Sequence, residues 1–174
     1  DFDLTVWLGV YKVATPGVLG AQDSTVILDD ANEPQPDDCL RIRPDRGGQS
    51  RTVEGGYIAG APELIAEVSA SSTAQDLGAK KEAYRRNGVR EYVVWQVRLE
   101  KLDWFILRHA EYERILPDPA GVYKSEVFPG LWLDATALIR GDMAAVLKVL
   151  EAGIASPEHS ELAARLARTI TDVK

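Results

Sequence analysis

Cysteine is almost missing from this chain: Cys39 is the only one in 174 residues. An internal disulfide is thereby excluded, and so is a zinc site built from thiolates. Histidine is nearly as scarce, with only His109 and His159. The first falls in a hairpin turn and the second at a helix start, where it reads as a surface residue. No Gly-x-Ser-x-Gly elbow accompanies them, so a serine hydrolase lacks its parts. No apolar run reaches the length of about 20 residues that crosses a bilayer, so no membrane-spanning helix is expected. The opening DFDLTVWLGV has neither the basic segment nor the small-residue cleavage site of a secretory signal, and a cytoplasmic location is the expectation. Positive charge is also short. Twenty Lys and Arg face 27 Asp and Glu, for a net charge of −7. That balance argues against a protein that coats nucleic acid by bulk electrostatics. An enzyme that meets nucleic acid through metal ions and a local basic patch stays allowed.

What is present is ordinary for a globular protein: 45% hydrophobic and 27% charged residues, in a length that suits one domain over residues 1–174. Basic residues do cluster locally, as Arg41, Arg43, Arg46 and Arg51, then Lys80, Lys81, Arg85, Arg86 and Arg90; such runs usually form a solvated face. The pattern predicts a helix over 1–14 packing Val6, Trp7, Val10 and Tyr11, broken by TPGVLGAQD. Strands follow at 24–30, 38–44 and 62–69, with a glycine-rich loop before the third. A helix over 76–88 leads into a strand at 91–97. LDWFILR and EYERIL form a hairpin around His109 and Ala110. An extended segment and two amphipathic helices close the chain. The fold class is α/β (α+β): a mixed β-sheet core flanked by helices, with C-terminal helices.

Two carboxylates stand out. In PELIAEVSA the strand period of two puts Ile65, Glu67 and Ser69 on one face and Leu64, Ala66 and Val68 on the other. A charge at Glu67 inside an apolar strand is costly to bury unless it is paired or binds a cation. In QPDDCLRIRP, Asp37 stands where the strand begins, on the side of Cys39 and Arg41, with Asp38 as a spare acid beside it. Pro-Asp-Asp is also plain turn chemistry, and Cys39 reads as a small packing residue. Downstream, Asp76, Lys80 and Tyr84 are spaced by four, which stacks them on one helical stripe. Thr73 and Asp76 can form a capping box, and Asp76 with Lys80 an ordinary ion pair. The helix follows the Glu67 strand directly, so its stripe can face the open end of the sheet where sites in α/β folds gather. Lys81, the next residue, points about 100° away.

Taken in order, Pro36-Asp37, Glu67-Val68-Ser69-Ala70-Ser71, Asp76/Lys80/Tyr84 and Gly88-Val89-Arg90-Glu91-Tyr92 resemble the PD-(D/E)xK nuclease superfamily, and more closely its Uma-type branch. The later segments LDWFILR, SEVFPGLWLD and SPEHSELAARLA resemble that branch too, so the likeness covers most of the chain. The resemblance implies a restriction-endonuclease-like core and hydrolysis of DNA phosphodiester bonds that depends on Mg²⁺ or Mn²⁺. Carried over, Asp37 and Glu67 are the metal carboxylates, the Val68 carbonyl is a further ligand and Lys80 assists. Two places depart from the pattern. Ser69 stands where the superfamily has its lysine, which points to Lys80 as its replacement from the following helix. Gln96 stands where many relatives carry an aspartate.

The competing expectation is a non-catalytic, nuclease-like module that binds another protein, which Ser69 and the negative net charge favour. A homodimer is expected as well. Four tryptophans and EVFPGLWLD offer large apolar surface, and cutting both strands of a duplex calls for two sites.

Overall fold

In the computed structural model, residues 2–70 and 76–168 are described. The chain runs α1 (Phe2–Ala14), β1 (Val18–Gln22), β2 (Val26–Ile27), β3 (Asp38–Ile42), β4 (Arg51–Thr52), β5 (Ile58–Ala59) and β6 (Leu64–Ser69). A π-helical turn (Asp76–Lys80) then leads into α2 (Lys81–Arg86) and β7 (Glu91–Gln96). The rest is β8 (Lys101–Arg108), β9 (Glu111–Ile115), β10 (Val122–Lys124), β11 (Trp132–Asp134), α3 (Ala135–Ile139), α4 (Met143–Ile154) and α5 (Pro157–Ala167). The main sheet has the order β1-β3-β6-β7-β8-β9. Only β6 and β7 pair in parallel; every other neighbour in it is antiparallel. The sheet is therefore mixed, as expected, because the one helical crossover joins β6 to β7 while turns and loops join the antiparallel pairs.

Alternation along the strands builds a core on each face. Leu40, Ile42, Leu64, Ala66, Val93 and Trp104 pack beneath α1, α4 and the segment around Phe128. Cys39, Ile65, Tyr92, Val94 and Phe105 pack beneath the crossover, against Tyr84 and Val89. Helix α1 is fastened by its aromatics: Trp7 Nε1 donates to the Trp132 carbonyl and Tyr11 Oη to that of Pro129, each at 2.9 Å.

Several expectations shift. TPGVLGAQD is no plain break, since Val18–Gln22 within it forms edge strand β1; Pro16 and Gly17 (φ 83°) make only the turn before it. The strand expected over 24–30 shrinks to Val26–Ile27, which joins β5 and β4 in a small separate sheet. The single helix over 76–88 is a π-turn followed by a short α2, because Gly78 takes φ −108°, ψ −106° and interrupts the helix. The hairpin turn is where it was expected, with His109 and Ala110 both at positive φ (50° and 65°), as a two-residue turn of that kind requires. The segment EVFPGLWLD is not surface: Phe128, Leu131 and Leu133 are fully buried, and so are Trp7 and Trp104. Its apolar area is used inside the fold, which removes that segment as the ground for a dimer. Arg41, expected on a solvated face, is buried and donates to Thr52 Oγ1 at 2.6 Å.

Candidate active site

The site starts from one register. β3 and β6 pair antiparallel with Asp38 opposite Ala66. One residue further, the same register sets Asp37 opposite Glu67. Side chains alternate, so Asp37 and Glu67 share the face covered by the crossover, while Asp38 turns to the other. There Asp38 is buried and accepts from Thr5 Oγ1 at 3.1 Å; burial pushes its carboxyl up to about 6. Parity thus sets Asp37 and Asp38 on opposite faces of the sheet. Only Asp37 stands on the side of Glu67.

Asp37 is half-buried, and its Oδ2 accepts the backbone N–H of Val68 at 2.6 Å. In an antiparallel ladder a residue's N–H and C=O face the same neighbour, so the Val68 carbonyl emerges on the same side as Asp37. Two residues beyond Asp38 the register would meet Pro36, which has no N–H to offer that carbonyl.

Glu67 is 3% exposed. Lys80 Nζ lies 3.1 Å from its Oε1 and Tyr84 Oη donates to the same oxygen at 2.9 Å. Burial raises the Glu67 carboxyl above its ordinary value; Lys80 and Tyr84 pull it down and the charge of Asp37 pushes it up. Lys80 precedes α2 and Tyr84 lies one turn later, so the four-residue spacing works even though the turn before it is not α-helical. A cleft of about 290 Å³ opens beside Lys80 and Tyr84 and runs to the loop 31–34.

Thr73 and the side chain of Asp76, expected to cap this helix, lie outside the described residues. Ser69 is buried on the Glu67 face, two residues on. Opposite Ser69 stands Gln96, buried, whose Nε2 donates to Asp103 Oδ2. Lys81 is no idle neighbour: its ammonium stands 3.6 Å from the centroid of the Phe105 ring, on the same sheet face. Asp103 was not singled out from the sequence, and the alternation of LDWFILR, which sets a charge among apolar residues, was the signal available. The reading of His159 as a surface residue is overturned. It is 5% exposed, and its Nε2 lies 2.9 Å from Thr15 Oγ1. Ser156 is the cap of α5 and His159 its third residue; that position turns inward because α5 docks on the end of α1.

The donor chemistry suits a hard divalent cation. Two carboxylates share one face of adjacent strands beside a peptide carbonyl, and Mg²⁺ is commonly held by one or two carboxylates with water and phosphate completing its shell. Among the described residues no three His, Cys, Asp or Glu side chains gather.

A family model described as Uma2, putative restriction endonuclease, matches residues 2–136. The crystal structure of a putative nuclease belonging to DUF820 from Anabaena variabilis ATCC 29413 is similar in fold, with a TM-score of 0.50 and 13% identity over 79% of each chain. No curated protein matches.

Proposed function

We propose, from the premise that this chain belongs to the Uma2 family of putative restriction endonucleases, that it is a Mg²⁺- or Mn²⁺-dependent endonuclease acting on DNA. The observation that carries the reading is the convergence of Asp37, Glu67 and Lys80 at one end of the sheet, with Lys80 Nζ 3.1 Å from Glu67 Oε1. Asp37, Glu67 and the Val68 carbonyl would hold the ion. Bound there, it supplies polarisation of the phosphoryl group and a lowered pKa for an attacking water.

The chain's own residues have separate tasks. Asp37 fastens the Val68 backbone and so fixes the strand edge that presents the carbonyl. Tyr84 and Lys80 hold one Glu67 oxygen and leave the orientation of the carboxylate settled. Lys80, already beside the carboxylate, presents its positive charge where charge builds on the phosphoryl oxygens; such pre-placed donors are the largest contributors to many hydrolytic rates. Two copies would bring one site to each strand of a duplex, which supports a homodimer.

Calorimetric titration with Mg²⁺ and Mn²⁺, alone and with a duplex, tests the reading. Expected are one binding event per chain, its loss in Glu67→Ala, and cleavage of the duplex only with the ion. Ion uptake without cleavage would favour the non-catalytic module, and absence of uptake would remove the metal-dependent reading. Sedimentation at micromolar concentration tests the dimer, and a monomer would remove it.

A further inference from the structure

A second polar group lies on the same sheet face and has no part in the chemistry above. The registers set Val94 opposite Glu67 and Asp103 opposite Val94. At about 4.8 Å per strand, Asp103 is roughly 10 Å from Glu67. Asp103 is 1% exposed, and its two oxygens take Gln96 Nε2, Lys101 Nζ at 3.2 Å and the Arg114 guanidinium. Lys101 and Arg114 are nevertheless about half exposed, so their remaining N–H groups face solvent.

Lys81 completes the group from the crossover. It lies over the Phe105 ring and makes no ion pair with a carboxylate among the described residues. Burial lowers the pKa of its ammonium below the ordinary lysine value; the field of Asp103 favours its charge and that of Arg114 opposes it. Three cations thus surround one carboxylate, on a chain whose net charge is −7. Neutralising Asp103 accounts for Lys101 and Arg114. It does not account for a third cation, an ammonium pinned on an aromatic face with no carboxylate partner among the described residues.

We propose that Lys81, Lys101 and Arg114, arranged by Asp103 and Phe105, form a subsite for backbone phosphates of the DNA strand held at Glu67. The inference rests on the nuclease reading. A separation of roughly 10 Å is short enough for a strand held at Glu67 to bring a neighbouring backbone phosphate there, since successive phosphates rise only about 3.4 Å along the axis. The subsite then grips the strand beside the cleavage point and adds no base specificity, because phosphate contacts position and do not read sequence.

The test is fluorescence anisotropy of a labelled duplex across a salt series, with Ca²⁺ replacing Mg²⁺ so that the duplex stays intact. Lys81→Met keeps the apolar stem on Phe105 and removes the charge; Lys101→Met does the same on β8. Each should weaken binding about 3- to 10-fold at low salt and lower the slope of log affinity against log salt by about one. Lys81→Arg should restore the slope. Lys148→Met, on the exposed face of α4 beneath the opposite side of the sheet, should match wild type. Wild-type slopes in both Lys81→Met and Lys101→Met, with duplex still bound and cleaved by wild type, would overturn the subsite and leave the nuclease reading standing. A wild-type protein that binds no duplex would overturn both. Unchanged melting temperatures exclude a folding defect, which alone would not move the salt slope.

Discussion

Lys80 Nζ and Glu67 Oε1 stand 3.1 Å apart, joining the end of β6 to the start of α2 across the face of the sheet. Glu67 is almost wholly buried while Lys80 keeps about a quarter of its side chain exposed. The carboxylate is therefore fixed, and the ammonium reaches it from the side open to solvent. On the proposed reading, Lys80 from the following helix takes the part of the strand lysine whose position Ser69 fills.

The first prediction separates the two partners. Lys80→Ala should keep metal uptake and lower duplex hydrolysis by about 100-fold or more, the range seen when one charge-stabilising donor is lost. Glu67→Ala should abolish uptake itself. Cleavage by Lys80→Ala equal to that of wild type, on the same duplex with Mn²⁺, would take Lys80 out of the mechanism.

Tyr84→Phe is the second. Its hydroxyl donates to Glu67 Oε1 and so favours the ionised carboxylate. A hydrogen bond to a charged group contributes about 1.5–3 kcal/mol. Without it the Glu67 carboxyl rises further, and its ionised form disappears at a higher pH. The acid limb of the rate profile should therefore move upward in pH. A limb that stays in place while activity falls would mean that Tyr84 acts only by packing.

Much of this site was legible in the sequence because strand alternation and helical spacing are local rules. Alternation put Glu67 and Ser69 on one face, and the spacing of four brought Lys80 and Tyr84 to Glu67 together. What was not legible depends on partners distant in the chain. Asp37 and Asp38 could be told apart only through the register with Ala66. Asp103 needed β7 and β9 beside it to become a buried centre among cations. EVFPGLWLD looked like an interface because nothing local says that α1 and α4 cover it. Gly78 broke a helix that the periodicity alone would have continued.

The third prediction concerns stability. Glu91, from Gly88-Val89-Arg90-Glu91-Tyr92, is fully buried and accepts from Ser125 Oγ at 2.7 Å, the Glu126 and Val127 N–H groups at 2.8 and 3.0 Å, and Trp104 Nε1 at 3.2 Å. It is the anchor for the turn that delivers Phe128 to the core. Glu91→Ala leaves four donors without an acceptor and should cost at least about 3 kcal/mol in urea unfolding, since each buried orphan costs about 1–3. Glu91→Gln, which keeps one acceptor oxygen, should cost less. A cost under about 1 kcal/mol for Glu91→Ala would mean that water replaces the carboxylate.

The last prediction follows from His159. Its ring lies between α5 and α1, with Nε2 at Thr15 Oγ1 and its edge against Tyr11, ring centroids 5.6 Å apart. Burial lowers its pKa below the ordinary value of 6.5. The unfolded chain therefore takes up a proton before the folded one does. The stability that neutral His159 contributes is complete above about pH 6.5 and is lost as pH falls through the folded value, at up to about 1.4 kcal/mol per pH unit. His159→Gln has no such proton to gain, so its stability deficit against wild type should narrow between pH 7.5 and 5.5. Urea unfolding of the two proteins at several pH values gives the comparison. Parallel curves for wild type and His159→Gln would show that the ring gains its proton as readily folded as unfolded, and that its contact with Thr15 does not depend on its charge.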